Sequence, residues 1–187
     1  MTTQRELNAA ARSLAKILRT KDLKVVFAES CTGGLISAAL TRIPGISDYL
    51  CGSAVVYRID TKAEWLDISR SVLEHPGPVS REVAEHMAKE ILDRTPEAQV
   101  AASITGHLGP DAPKRLDGLV YAAIVLSPQL GDDGLKTVVK KQRLLASEGP
   151  ATGRAGETLR SRRQIAAAVL VLSTVSAILE KVDPPAN

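Results

Sequence analysis

An apolar run, Val25-Val26-Phe27, passes through seven mostly small or polar residues, Ala28-Glu29-Ser30-Cys31-Thr32-Gly33-Gly34, into a helix-like stretch from Leu35 to Arg42. A strand that turns straight into a helix is the building step of α/β proteins, and ligands in such folds sit at the strand ends. The start of the following helix offers backbone N–H groups without intrahelical partners and a partial positive charge, and paired glycines let a substrate come close to those donors. Ser30 and Cys31 bring a hydroxyl and a thiol to this junction as candidate nucleophiles. The same residues also read as ordinary punctuation, a Ser/Thr cap followed by a glycine turn.

Alternation of helices and strands continues along the chain. Leu7, Ala11, Leu14 and Leu18 recur at helical spacing before a short buried strand at Lys24 to Ala28, and Pro44-Gly45 stops the helix that follows. Ala54 to Tyr57 is β-branched and strand-like, whereas Thr61 to Leu66 lacks a period of two and suits a short helix. Ser80 caps a helix whose inner face is Val83, Ala84, Met87, Ala88 and Ile91. Strands are expected at Gln99 to Ile104, Leu119 to Leu126 and Leu135 to Leu144, and a last helix runs from about Glu157 to Val182, before Pro184-Pro185. Lys136 to Arg143 follows a Gly-Asp-Asp-Gly turn, Gly131 to Gly134, and reads as the outer strand of an antiparallel hairpin. The expected architecture is a three-layer α/β/α sandwich with a mixed, mostly parallel sheet.

With 187 residues, 44% of them hydrophobic, the chain can bury one sizeable core, and no linker or repeat divides it, so a single domain over 1–187 is expected. A net charge of only +3 and 3% aromatics do not describe a basic, ring-lined surface for single-stranded nucleic acid, and a small anionic ligand fits better. Cys31 and Cys51 form no C-x-x-C pair, and the polar start, Met1 to Leu7, is unlike a signal peptide, so a cytoplasmic protein is expected. The apolar stretch Ile165 to Leu179 is shorter than the roughly 20 residues a bilayer span needs, which points to a buried helix or an oligomer contact.

Several separated motifs carry a resemblance. Ala28 to Gly34 reads A-E-S-C-T-G-G; Pro44-Gly45-Ile46-Ser47 is similar to P-G-S-S; Val55-Val56-Tyr57 with Lys62 is similar to V-x-Y-S-N-x-x-K. Gly77-Pro78-Val79-Ser80 follows G-A-V-S, and Thr105-Gly106 with Gly109-Pro110 follows T-G-I-A-G-P. In this order, over about residues 25 to 126, they resemble the nicotinamide-nucleotide amidase family, the C-terminal domain of CinA proteins. The resemblance implies the same three-layer fold, a homo-oligomer, and deamidation of nicotinamide mononucleotide to nicotinate mononucleotide.

Hydrolysing a carboxamide requires a nucleophile, a base for its proton, donors for the oxyanion and a proton for departing ammonia. Ser30 is the expected nucleophile. His75, His86 and His107 fall in a turn, on a helix and in a loop and assemble no Ser-His-Asp triad, which leaves lysine as the base. The resemblance selects Lys62 for that role and puts Tyr57 at the active site. Taken alone, Lys62 would read as a solvated lysine and Tyr57 as a core aromatic. Cys31 is expected as a neighbour facing the other way. Glu29 either orients Lys62 or caps the turn; Thr32, Gly33 and Gly34 offer donors to substrate, and Thr105 and Gly106 offer backbone N–H groups to the oxyanion. Arg154, Arg160, Arg162 and Arg163 could complete a phosphate clamp, but their type favours a solvated face. No metal-ligand spacing exists among the histidines and cysteines, and a serine acyl-enzyme needs neither metal nor cofactor.

Two departures stand out. Arg58 and Ile59 occupy the places of the Ser-Asn pair, and after Thr105-Gly106 the loop runs His107 to Gly118 with Asp111, Ala112 and Pro113 where the pattern has glycines. Three readings follow: a nicotinamide-nucleotide amidase, a non-catalytic nucleotide-binding relative, or an amidase for another small amide.

Overall fold

The computed structural model describes residues 2–130, 136–144 and 158–183. The first helix, α1 (Gln4–Lys21), starts with a reciprocal cap in which the Thr3 amide donates to Glu6 Oε2 at 2.6 Å and the Glu6 amide donates to Thr3 Oγ1 at 3.3 Å. Its face of Leu7, Ala11, Leu14, Ala15 and Leu18 is buried, as the spacing predicts. The strands are β1 (Val25–Glu29), β2 (Leu50–Val55), β3 (Val100–Gly106), β4 (Leu119–Leu126) and β5 (Lys136–Arg143), and the remaining helices are α2 (Leu35–Thr41), α3 (Ile59–Leu66), α4 (Arg70–Glu74), α5 (Arg81–Asp93) and α6 (Leu159–Leu179).

The sheet order is β2-β1-β3-β4-β5. β1 pairs in parallel with β2 and β3, while β3–β4 and β4–β5 are antiparallel, so the sheet is evenly mixed rather than mostly parallel. Alternation along β1 divides the interior. Val25 and Phe27 pack with α1, α2 and α6 on one face, and Val26 and Ala28 pack with α5 on the other. On that second face the Ser103 hydroxyl donates to Ala84 O at 2.5 Å, so one buried polar group is satisfied where small residues let α5 lie close to β3. Ser80 caps α5 by accepting from the Val83 amide at 3.2 Å.

Some boundaries differ from expectation. β2 begins at Leu50 and ends before Tyr57, because its register is set by β1 and not by its own apolar residues. α4 is an additional short helix. α6 has 21 residues and is long and apolar enough to span a bilayer, so length alone does not exclude a span; it lies instead with Ala167, Ala168, Val171, Leu172, Val175 and Leu179 buried in the core. The Gly131 to Gly134 turn, Leu135, Arg154, Glu157 and Pro184-Pro185 lie outside the described residues.

Glu29 organises the β1–α2 junction. Fully buried, its carboxylate accepts six hydrogen bonds: from Thr32 Oγ1 (2.8 Å), the amides of Gly34 (3.0 Å), Ile36 (3.1 Å) and Ser37 (3.0 Å), Ser37 Oγ (3.0 Å) and Ser53 Oγ of β2 (3.1 Å). A negative charge thus sits on the first turn of α2, whose own N-cap, Gly34, has no side chain to offer. Glu29→Gln replaces an oxygen acceptor by an amide donor facing donors, and should cost about 3 kcal/mol, a fall in Tm of roughly 6–12 °C for a chain of this size. Thermal denaturation followed by circular dichroism checks it; an unchanged Tm would mean that the glycine turn holds the junction without the carboxylate.

Candidate active site

Where β1 and β3 end, a pocket of about 510 Å³ opens, lined by Ser30, Cys31, Tyr57, Ile59, Lys62, Thr105, Gly106 and the segment that follows β3. Ser30 is the first residue beyond β1, and its amide still pairs with Ile104 O of β3 at 3.0 Å, so the neighbouring strand fixes its backbone. Lys62 reaches it from α3. Its Nζ donates to Ser30 Oγ at 2.9 Å, to Val56 O at 2.7 Å and to Tyr57 O at 3.4 Å.

Lys62 is only 2% exposed, and among the described residues no carboxylate pairs with it. Burial therefore pushes its pKa down to about 8. Cys31 is packed into the α1/α2/α6 core, and burial pushes its thiol up to about 12, so it is held as a thiol rather than a thiolate nucleophile.

The structure brings Ser30, Lys62, Tyr57, Cys31, Thr105 and Gly106 around one space and leaves Glu29, Thr32, Gly33 and Gly34 outside its lining. Glu29 caps the turn and does not touch Lys62. The Gly34, Ile36 and Ser37 amides are engaged by that carboxylate, and the Gly33 amide by Ser30 O at 3.0 Å, so the start of α2 faces its own cap rather than a ligand. Thr105 turns its hydroxyl to Pro78 O at 2.8 Å. Ile104 uses its carbonyl toward β1, so Gly106, two residues on, directs its N–H to the same side, past the end of β1 and beside Ser30. The Cys31 amide, directly after Ser30, donates to no backbone carbonyl among the described residues.

The segment after β3 is held by arginines. Arg160, in the first turn of α6, is exposed and donates to Tyr57 Oη and to Gly109 O, both at 2.7 Å. Arg163, 4% exposed, forks onto Asp117 at 2.6 and 2.8 Å and also donates to Leu108 O at 3.2 Å. Arg143 of β5 donates to Asp117 O at 2.6 Å and Arg115 O at 2.8 Å. The expected solvated arginine face is thus corrected: Arg162 and Arg163 are buried. Sequence reasoning offered Arg160 and Arg163 only as members of a group of candidate phosphate ligands and missed Asp117; the signal that sets those two arginines apart is their spacing, three apart on one helical face. Among the described residues no group of three His, Cys, Asp or Glu side chains could hold a metal ion.

Comparison with known proteins adds to this geometry. Residues 7–147 match the model of the CinA C-terminal domain. A CinA-like protein of Prochlorococcus marinus is 42% identical over 131 residues, 69% of this chain and 30% of that protein. Another CinA-like protein, of Dictyoglomus thermophilum, is 35% identical over 130 residues, 68% of this chain and 31% of its own length. The chain therefore spans about a third of the curated relatives it matches. Among solved structures, the competence/damage inducible protein CihA of Agrobacterium tumefaciens superposes with a TM-score of 0.77 at 29% identity, covering 94% of this chain and 96% of that one.

Removing the acid of the Arg163–Asp117 pair strands a buried guanidinium. Asp117→Ala should leave β1 and β3 as well protected as before while amide hydrogen exchange across 107–118 speeds up at least tenfold, about 1.4 kcal/mol of local stability. Unaltered exchange in that segment would show that the backbone pairing of His107 alone holds it.

Proposed function

Because this chain belongs to the CinA C-terminal domain family, we propose that it hydrolyses a carboxamide, that of nicotinamide mononucleotide, by acyl transfer through Ser30 with Lys62 as base. The observation that carries this reading is the 2.9 Å contact between Ser30 Oγ and a buried amine that has no counter-ion among the described residues. A lysine near its neutral form can take the serine proton as Oγ attacks the carboxamide carbon. The developing oxyanion meets the amides of Cys31 and Gly106, the first directly after the nucleophile. Lys62, now protonated, returns the proton to the nitrogen as the C–N bond breaks and ammonia leaves. Water, deprotonated by Lys62, then cleaves the acyl ester to give the carboxylate product and restores Ser30.

Arg160 suits the phosphate end of such a substrate. It is an exposed cation at the pocket mouth, oriented by Tyr57 Oη and Gly109 O, with no carboxylate partner among the described residues. The reading extends to a cytoplasmic enzyme that assembles from identical subunits. A second reading, nucleotide binding without turnover, is favoured by one feature: apolar Ile59 lines the pocket where the resembled pattern has asparagine. Turnover of some other small amide is the third.

Ammonia release from nicotinamide mononucleotide, with nicotinate mononucleotide identified as co-product, tests the proposal. Ser30→Ala should lower turnover by about 10³-fold or more with Tm preserved, as loss of an acyl-transfer nucleophile does. Lys62→Met should lose turnover equally yet hold or raise Tm, because the buried amine costs about 3 kcal/mol at neutral pH. That cost is complete below about pH 8 and fades as pH rises toward the ordinary lysine range. Saturable binding by the wild type without product would favour the second reading.

The pH profile is a separate check. Only neutral Lys62 accepts a proton, so kcat/KM should climb about tenfold per pH unit below pH 8 and level off above it. A flat profile from pH 6 to 9 would remove Lys62 from the role of base.

A further inference from the structure

His107 is the one histidine that lines the pocket holding Ser30 and Lys62 among the described residues. Its backbone is fixed on every side: its amide donates to Leu119 O at 2.9 Å, its carbonyl accepts from the Gly118 amide at 2.8 Å, and the next two carbonyls, Leu108 O and Gly109 O, are held by Arg163 and Arg160. The imidazole, by contrast, makes no hydrogen bond to any described residue and is only partly exposed. A rigid backbone thus presents an unengaged polar ring to the pocket. The motif T-G-I-A-G-P, which this segment resembles, has isoleucine at the same place, so the ring is a feature of this chain.

Its position along the wall defines what it can meet. Gly106 stands beside Ser30, and Gly109 carries the carbonyl that orients Arg160; His107 lies between them, one Cα step of about 3.8 Å from Gly106. A ligand reaching from Ser30 to Arg160 passes it. Burial holds the imidazole below its ordinary pKa, so at and above neutral pH it is uncharged, with one ring nitrogen donating and the other accepting. A neutral ring is a poor acid for departing ammonia and a poor partner for phosphate, but it matches a hydroxyl, which also both donates and accepts.

We propose that His107 is a specificity-determining residue whose imidazole hydrogen-bonds an uncharged hydroxyl-bearing group between the scissile amide and the anionic end of the substrate, the sugar of a mononucleotide. This deepens the amidase reading and rests on it. Calorimetric titration of Ser30→Ala protein with nicotinamide mononucleotide and with nicotinamide, beside steady-state kinetics on the active enzyme, tests it. His107→Ile should weaken nucleotide binding and raise KM by about three- to tenfold, the worth of one neutral hydrogen bond. Its kcat should stay within about twofold and its affinity for nicotinamide should not change, because a binding contact outside the reacting group acts on KM. His107→Gln, which keeps a donor and an acceptor, should recover most of the loss, and the His107 Hε1 resonance should move with nucleotide but not with nicotinamide. Equal nucleotide affinity in wild type and His107→Ile, or an unmoved resonance while the nucleotide binds, overturns the role of His107 and leaves the amidase reading standing. If the wild type neither binds nor hydrolyses the nucleotide, the amidase reading falls and this inference falls with it.

Discussion

The pocket's geometry depends on where β1 stops, and the Glu29 carboxylate sets that point. A buried carboxylate is expensive unless it is fully hydrogen-bonded. Here the donors come from the turn, from the first turn of α2 and from β2, so satisfying one charge ties three pieces of chain to a single spot. Ser30 is the next residue. Its amide continues the β1–β3 pairing, its carbonyl receives the Gly33 amide, and only its hydroxyl is left to face the pocket.

The same economy fixes the electrostatics. Once Glu29 has neutralised the start of α2, that helix end no longer supplies positive potential to a ligand. Among the described residues that line the pocket, what remains is one buried amine and one exposed guanidinium. Lys62 is held by two main-chain carbonyls and the Ser30 hydroxyl, acceptors that orient an ammonium without balancing its charge, so burial lowers its pKa with no carboxylate to oppose it among the described residues. A carboxylate in place of either carbonyl would have held the amine more firmly and kept it protonated. Arg160 stands exposed at the rim.

Much of this was legible in the sequence, and what was not has definite reasons. The inner faces of α1 and α5 and the strand-to-helix junction were readable because their apolar spacing is local. β2 was misplaced because Cys51, Gly52 and Ser53 have no strand-like pattern; β1 imposes extended pairing on them. The sheet's parity was misread because the segment between β3 and β4 gives no sign that the chain doubles back. Ser30 stood out within a motif, but the burial of Lys62 is decided by Val56 and Ser30, the latter 32 residues away, and only the family pattern pointed to it. The α6 arginines were read as solvated because their partners, Leu108, Gly109 and Asp117, lie 46 to 55 residues earlier.

Those arginines also explain the departure in the loop after β3. The resembled pattern keeps such a loop open with glycines, whereas here Pro110, Asp111, Ala112 and Pro113 stiffen it and glycine remains at Gly109 and Gly118. Both have a left-handed backbone, with φ of +69° and +72°. A Cβ at Gly109 would lie 2.8 Å from Arg163 Nη1 and 2.6 Å from Asp117 Oδ1, and one at Gly118 would lie 3.2 Å from Arg163 Nη2 and 2.3 Å from Leu144 O. The two glycines therefore make room for the guanidinium and for the end of β5. The glycines make the ion pair possible, and the ion pair fixes the wall on which His107 stands. A loop that could have been left flexible for its ligand has become a rigid one, shaped before any ligand arrives.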